Sequence, residues 1–198
     1  MITLCMDTSH VFLALALIRD DTLIASVCEQ CWKRQSEEIF PKLIAMCEDA
    51  GVTPDDISQV VISKGPGSYT GVRIAMTVAK VLCAMKNIPL YTVGTLQLYA
   101  GNRTCRVIMD ARSKRAYTNV YENGIAVNED SVKECEEIRN EYNGEEIIGD
   151  GRLIGREDTW PDICANFLAV KDRWERMDNV HLTVPEYLKS SESYMVKK

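Results

Sequence analysis

A chain of 198 residues and 22.3 kDa, 46% apolar and 26% charged, has the composition of a packed globule of one domain or two small lobes, not of a disordered or collagen-like chain. Its longest apolar run, residues 11–18, has eight members, short of the roughly 18 a membrane span needs. The net charge of −6 and pI near 5.1 argue against a dedicated nucleic-acid binder acting alone. Asp7 interrupts the apolar start and no basic stretch precedes it, so a cytoplasmic protein is expected.

The first thirty residues predict three short strands, 2–6, 12–18 and 23–28. They are joined by Asp7-Thr8-Ser9 and Arg19-Asp20-Asp21, links short enough for antiparallel hairpins. A helix follows, with Ser36 as candidate N-cap, Glu37 and Glu38 in its first turn and Gly51 past its end. Ile39, Phe40, Leu43, Ile44, Cys47 and Ala50 form its predicted apolar face, and Pro41 predicts a late start or a kink. A strand at 60–63, a loop from Lys64 to Gly71, a helix over 72–86 and a strand at 90–93 come next. A meander followed by alternating crossovers gives an α/β protein, a mixed sheet with flanking helices. That is the core layout of ribonuclease-H-like and actin-like folds.

Beyond Asn102 the texture is more polar. Strands are expected at 107–109 and 117–121, a charged helix at 131–142, a strand before Gly149-Asp150-Gly151, a short helix at 161–170 and a strand or turn at 185–188. The expected division is an N-terminal lobe over 1–102 and a smaller C-terminal lobe over 103–198.

Residues 57–109 contain no Asp or Glu but six bases, Lys64, Arg73, Lys80, Lys86, Arg103 and Arg106, in an otherwise acidic chain. Such a stretch either meets an anion or an acidic partner, or is mostly core. Of eight cysteines, only Cys28 and Cys31 are close in sequence, and without a second such pair they read as a chance pairing, not a zinc or redox motif. Among residues 72–86 only Arg73, Thr77, Lys80 and Lys86 are polar. A helix so apolar is expected to be covered on more than one side, by its own sheet and by a second subunit or the first helix. Ala75 and Ala79, four apart, are candidates for close backbone approach.

Lys64-Gly65-Pro66-Gly67-Ser68-Tyr69-Thr70-Gly71 lies between a strand and a helix, where backbone N–H groups hold anions, yet it matches neither a Walker loop nor a dinucleotide fingerprint. It is either a phosphate-holding or a purely structural turn. Asp7-Thr8-Ser9 reads as an Asx-type turn, the alternative being a seat for magnesium-bound water and phosphate. His10 and His181 are far apart, and neither His-x-x-x-His nor His-Glu-x-x-His occurs, which disfavours a histidine metal site and a Ser-His-Asp set.

Taken together, Asp7-Thr8-Ser9, Gln35-Ser36-Glu37, Gly65-Pro66-Gly67-Ser68-Tyr69-Thr70-Gly71-Val72-Arg73-Ile74, Ala79-Lys80, Asp110-Ala111-Arg112 and Pro185-Glu186-Tyr187-Leu188-Lys189 resemble the TsaB (YeaZ) family. Gly65–Ile74 is the most specific part. The resemblance implies an actin-like (ASKHA) fold and a non-catalytic dimerisation subunit in threonylcarbamoyladenosine modification of tRNA. It implies pairing with the catalytic paralogue TsaD, the ATPase TsaE joining the complex and tRNA met through the complex; the chain alone is either a monomer or a homodimer. The family pairs through its first two helices, which here carry Ile39, Leu43, Met46, Tyr69, Thr70, Arg73, Ile74, Thr77, Lys80 and Val81. The phosphate-adjacent positions are Asp7, Thr8, Ser9, Gly65, Gly67, Ser68, Gly149, Asp150 and Gly151, with ATP or ADP and magnesium expected only at a partner interface. Gln35 stands where family members commonly carry His, and the C-terminal part is short. The competing expectation is an actin-like ATPase or kinase, or a glycoprotease-like hydrolase, acting alone.

Overall fold

A computed structural model describes residues 1–188. Strands β1 (Ile2–Asp7), β2 (Phe12–Arg19) and β3 (Thr22–Gln30) form an antiparallel meander. Helix α1 (Gln35–Asp49) leads to β4 (Ile57–Ser63), which pairs parallel with β1. Helix α2 (Tyr69–Lys86) leads to β5 (Leu90–Val93), parallel to β4. β1 and β2 are central and buried on both faces, which is why residues 11–18 read as one apolar run rather than an alternation. Edge strand β3 is largely exposed.

Helix α3 (Thr95–Ala100) carries the chain to a second sheet of β6 (Cys105–Asp110), β7 (Arg115–Glu122), β8 (Ile125–Ala126) and β9 (Ser131–Glu134), followed by α4 (Cys135–Glu141) and β10 (Glu146–Gly149). Its order is β10-β6-β7-β8, with β9 also on β7. Helix α5 (Ile163–Ala169) then packs back on the first sheet, and β11 (Glu175–Arg176) completes the order β11-β5-β4-β1-β2-β3. One core lies between the sheets, where Cys5, Ala14, Val107, Met109 and Tyr117 meet Leu98, Tyr99, Cys164 and Phe167 of α3 and α5. A second lies beneath α1 and α2, from Leu4, Leu13, Leu15, Val60 and Ile62 to Ile39, Met46, Ala75, Met76 and Ala79. Among the described residues no helix is long and apolar enough to cross a membrane.

Several elements depart from expectation. α1 begins at Gln35 with Arg34, not Ser36, at its N-cap, and it continues through Pro41. Pro41 and Glu37 are both exposed, so the Glu37 carbonyl that loses its helical donor faces water. Phe40 and Ile44, expected on the buried face, are exposed, and Met46 takes a core position instead. α2 starts three residues early because the Ser68 hydroxyl accepts from Gly71 N at 3.2 Å and caps it. Residues 131–134 are strand, not helix, because they pair with Arg115–Thr118 of β7. Residues 185–188 form no strand; Glu186 N donates to Lys64 O at 2.7 Å and lays that segment over the glycine loop. Lys189, the last residue of that motif, lies outside the described residues.

The bases of the acid-free stretch are mostly taken up by the chain itself. Arg106 is buried against Glu141 and Glu145, Lys64 meets Glu175 and Glu186, and Lys86 meets Asp55. Lys80 Nζ donates to the carbonyls of His181 and Thr183, each at 2.9 Å. Acids distant in sequence thus meet three of the six bases, Lys64, Lys86 and Arg106.

Candidate functional site

The turn Asp7-Thr8-Ser9 ends β1 and is wholly buried. Asp7 Oδ1 accepts from Ser9 N at 3.1 Å and from the Ser63 hydroxyl, while Tyr99 Oη donates to Oδ2 at 3.4 Å. Tyr99 ionisation is pushed far up, by burial first and the Asp7 charge second, so its phenol stays a donor. Thr8 Oγ1 donates to Gly71 O at 2.6 Å and accepts from Ala75 N at 3.1 Å. Ser9 O accepts from Ser68 N at 2.7 Å.

The glycine loop is pressed onto this turn. A Cβ at Gly67 would lie 2.5 Å from Ser9 O, one at Gly71 2.3 Å from Thr8 O, and one at Gly65 2.5 Å from Glu186 O. At Gly149 and Gly151 a Cβ would lie 2.1 Å from Ile108 O and 2.0 Å from Glu157 O. The glycines permit close passage of one backbone past another. The glycine loop and the turn are thus in direct backbone contact, while the Ser9 hydroxyl is buried there without a hydrogen-bond partner.

Asp150 is fully buried and joins the two sheets. Its Oδ2 lies 2.8 Å from His10 Nε2 and accepts from Asp110 N at 2.8 Å, and its Oδ1 lies 3.1 Å from the Arg152 guanidinium. Burial pushes this carboxyl up, but the His10 contact, the Asp110 N–H and Arg152 outweigh it and hold the acid below its ordinary range. His10 also packs on Trp160, and its carbonyl accepts from Gln35 Nε2 at 2.9 Å. Gln35 therefore ties the start of α1 to the first hairpin.

A cleft of about 340 Å³ opens between His10, Ser68 and Thr70 on one side and Asp110, Arg112 and Arg152 on the other. At its rim Arg112, Ser113 and Lys114 are successive residues in the left-handed region, with Arg112 N donating to Asp110 Oδ1 at 2.6 Å. His10, Arg152 and Trp32 in this cleft were not among the expected site residues; adjacency of His10 to Ser9 and of Arg152 to Gly151 was their only sequence signal.

The second surface is the outer face of α1 and α2. β3 and β4 both run parallel to β1, so both helices return antiparallel to it and lie side by side on the same core. Ala75 and Ala79 face the chain's own sheet, as do Ile39 and Met46, which takes all four out of any exposed pairing surface. Leu43, Ile74 and Lys80 are half-buried. What remains outside is Phe40 and Ile44 on α1, with Tyr69, Thr70, Arg73, Thr77, Val81 and Met85 on α2. Phe40, Ile44 and Val81 are each more than half exposed, at 54%, 56% and 54%, and Met85 reaches 82%. A shallow depression of about 420 Å³ runs between Ser36, Phe40, Tyr69, Arg73 and Thr77. At one end the Arg73 guanidinium lies 3.7 Å from the centroid of the Tyr69 ring, which stacks on Tyr187 at 5.4 Å.

A three-strand meander continued by two parallel crossovers, facing a smaller second sheet across a cleft, defines the ribonuclease-H-like, actin-like class. Residues 27–146 match the family model described as TsaD: tRNA N6-adenosine threonylcarbamoyltransferase. The tRNA threonylcarbamoyladenosine biosynthesis protein TsaB of Escherichia coli is 30% identical over 171 residues, 81% of this chain and 74% of that protein. The chain belongs to the TsaB (YeaZ) family. The Bacillus subtilis TsaB is 39% identical over 127 residues, 62% of this chain and 56% of that protein, so the matched stretch spans little more than half of its length. Two solved Pseudomonas aeruginosa structures share the fold. One, described as similar to peptidase YEAZ, has a TM-score of 0.76 at 20% identity and covers 95% of this chain and 99% of its own. The other, YeaZ, has a TM-score of 0.72 at 20% identity, with 94% and 99% covered.

Proposed function

We propose that this chain is a non-catalytic subunit in the biosynthesis of threonylcarbamoyladenosine in tRNA, pairing with a TsaD-like catalytic chain through the outer face of α1 and α2. The observation that carries the reading is that face: Phe40, Ile44, Val81 and Met85 remain exposed on two helices whose inner faces are fully used. Large apolar side chains left exposed together on one helical layer support a protein–protein contact there. The names of the curated relatives supply the pathway. A TsaE-like ATPase and tRNA join through the complex, and the same face pairs two copies when the partner is missing. ATP or ADP with magnesium is held only where a partner completes the site, since the chain's own glycine loops are closed on Thr8 and Ser9. That closure also weighs against an ATPase, kinase or hydrolase acting alone.

The test is recovery from the native host. The tagged protein, gently purified, should bring down a stoichiometric TsaD-like chain identified by mass spectrometry, and a Phe40→Glu/Val81→Glu variant should not. Wild-type protein recovered alone from a lysate that contains the paralogue overturns the reading.

A further inference from the structure

We propose that Cys28 and Cys164 form a thiol–disulfide exchange site, which takes a low-molecular-weight organic disulfide and closes as an intramolecular bridge between β3 and α5. Among the free cysteines Cys28 is exposed, Cys31 half-buried and the other six buried. Cys28 is the cross-strand partner of Ala14, a member of the core between the sheets, so its side chain projects toward the face that α5 covers. Cys31, three residues later, packs instead against the core beneath α1 and α2. The close pair in the sequence is therefore split between opposite faces.

Its place is taken by a residue far along the chain. Cys164, in the first turn of α5, has its Sγ 3.4 Å from Leu15 O and 3.6 Å from Val27 O, the carbonyl of the peptide bond leading into Cys28. The neighbouring Cys164 thiol draws the Cys28 thiol below its ordinary value, against the opposing effects of burial and of Asp7, Asp162 and Glu29. The nearness of Cys28, then burial, pushes Cys164 far up. The exposed sulfur is the one a disulfide in solution can reach, and the buried one, beside the peptide bond that leads into Cys28, is placed to resolve the adduct.

In the first step the Cys28 thiolate attacks one sulfur of the disulfide RSSR. The RS–SR bond breaks, Cys28–S–SR forms, and the departing RS⁻ is balanced by the proton that Cys28 released. Cys164 Sγ then attacks Cys28 Sγ, breaking the bond to SR, and the second RS⁻ takes the proton from Cys164. Two protein thiols are oxidised to one disulfide and RSSR is reduced to two RSH. Cys28 lies on the face of the first sheet opposite α1 and α2, so the site stays accessible with a partner on those helices.

The full chain, reduced and then incubated with oxidised glutathione, is quenched in acid, alkylated and digested. The expected product is a peptide pair linked through Cys28 and Cys164, without retained glutathione and reversed by dithiothreitol. Cys28→Ser should give neither adduct nor bridge. Cys164→Ser should trap glutathione on Cys28; should that variant not fold, the wild-type peptide map decides alone. A Cys28–Cys31 linkage, glutathione persisting on Cys28 of the wild type, or Cys28 left reduced while other cysteines react, each overturns the proposal.

Discussion

Thr8 inserts its hydroxyl between the Gly71 carbonyl and the Ala75 amide, which bond to each other in an undisturbed helix: Oγ1 donates to the first at 2.6 Å and accepts from the second at 3.1 Å. The first hairpin is thereby locked onto the opening turn of α2. The tripeptide that ends β1 is thus a clamp between strand and helix.

Thr8→Val keeps the shape and removes the hydroxyl, leaving a buried carbonyl and amide to find each other again. We expect a loss of about 1–3 kcal/mol in urea unfolding. A change below a few tenths would show that the helix closes its own bond without cost.

Gly67→Ala separates a clamp from a phosphate loop. Its Cβ would lie 2.5 Å from Ser9 O, a backbone atom that cannot step aside cheaply. The expected outcome is a drop of about 1–3 kcal/mol in stability, typical of overpacking, with no change in the background rate of magnesium-dependent ATP hydrolysis. Wild-type hydrolysis well above that of the variant, at equal folded fraction, would restore the phosphate-loop reading.

Asp150→Asn leaves His10 and Arg152 without their shared carboxylate in a fully buried position. A cost of about 1–3 kcal/mol is expected at neutral pH. The Asp150 acidity is held below its ordinary value in the folded state. Its contribution is therefore complete above the unfolded value of about 3.9 and fades as pH falls through the folded value. Denaturation of both proteins across acid pH should show the gap closing only below about pH 4; a gap that instead widens in acid contradicts the assignment.

Ala75→Glu and Val81→Glu lie on the same helix and should fail differently. Ala75 is fully buried against the sheet, so a carboxylate there should unfold the lobe, whereas Val81 is more than half exposed. Val81→Glu should change stability by about 0.5 kcal/mol or less and abolish recovery of the partner. Circular dichroism with size-exclusion mass measurement checks both, and an unchanged complex with Val81→Glu removes α2 from the pairing surface.

The meander, the two crossovers and the glycine loop were legible because each depends on local pattern. β1 and β2 are covered on both faces and so are continuously apolar. α3 was missed because its six residues begin at an uncapped Gly94 and carry no helical period long enough to read. The face of α1 was misjudged by one position. Phe40 and Ile44 adjoin Ile39 and Leu43 in sequence, and only the sheet beneath decides which of the two stripes it covers.

What the amino-acid order determined alone was the succession of elements as far as β5 and the family motif. Which atoms those motifs serve was decided by the tertiary structure. Asp7 and Thr8 are consumed by Ser63, Tyr99, Gly71 and Ala75, Arg106 by Glu141 and Glu145, and Cys28 finds Cys164 instead of Cys31. Helix and strand periods arise from neighbours within a few residues, so a linear reading captures where such elements lie. Satisfying a buried donor, cancelling a charge or pairing a thiol depends on atoms brought within about 3–4 Å from distant parts of the chain, and that proximity exists only once the sheets have closed on each other.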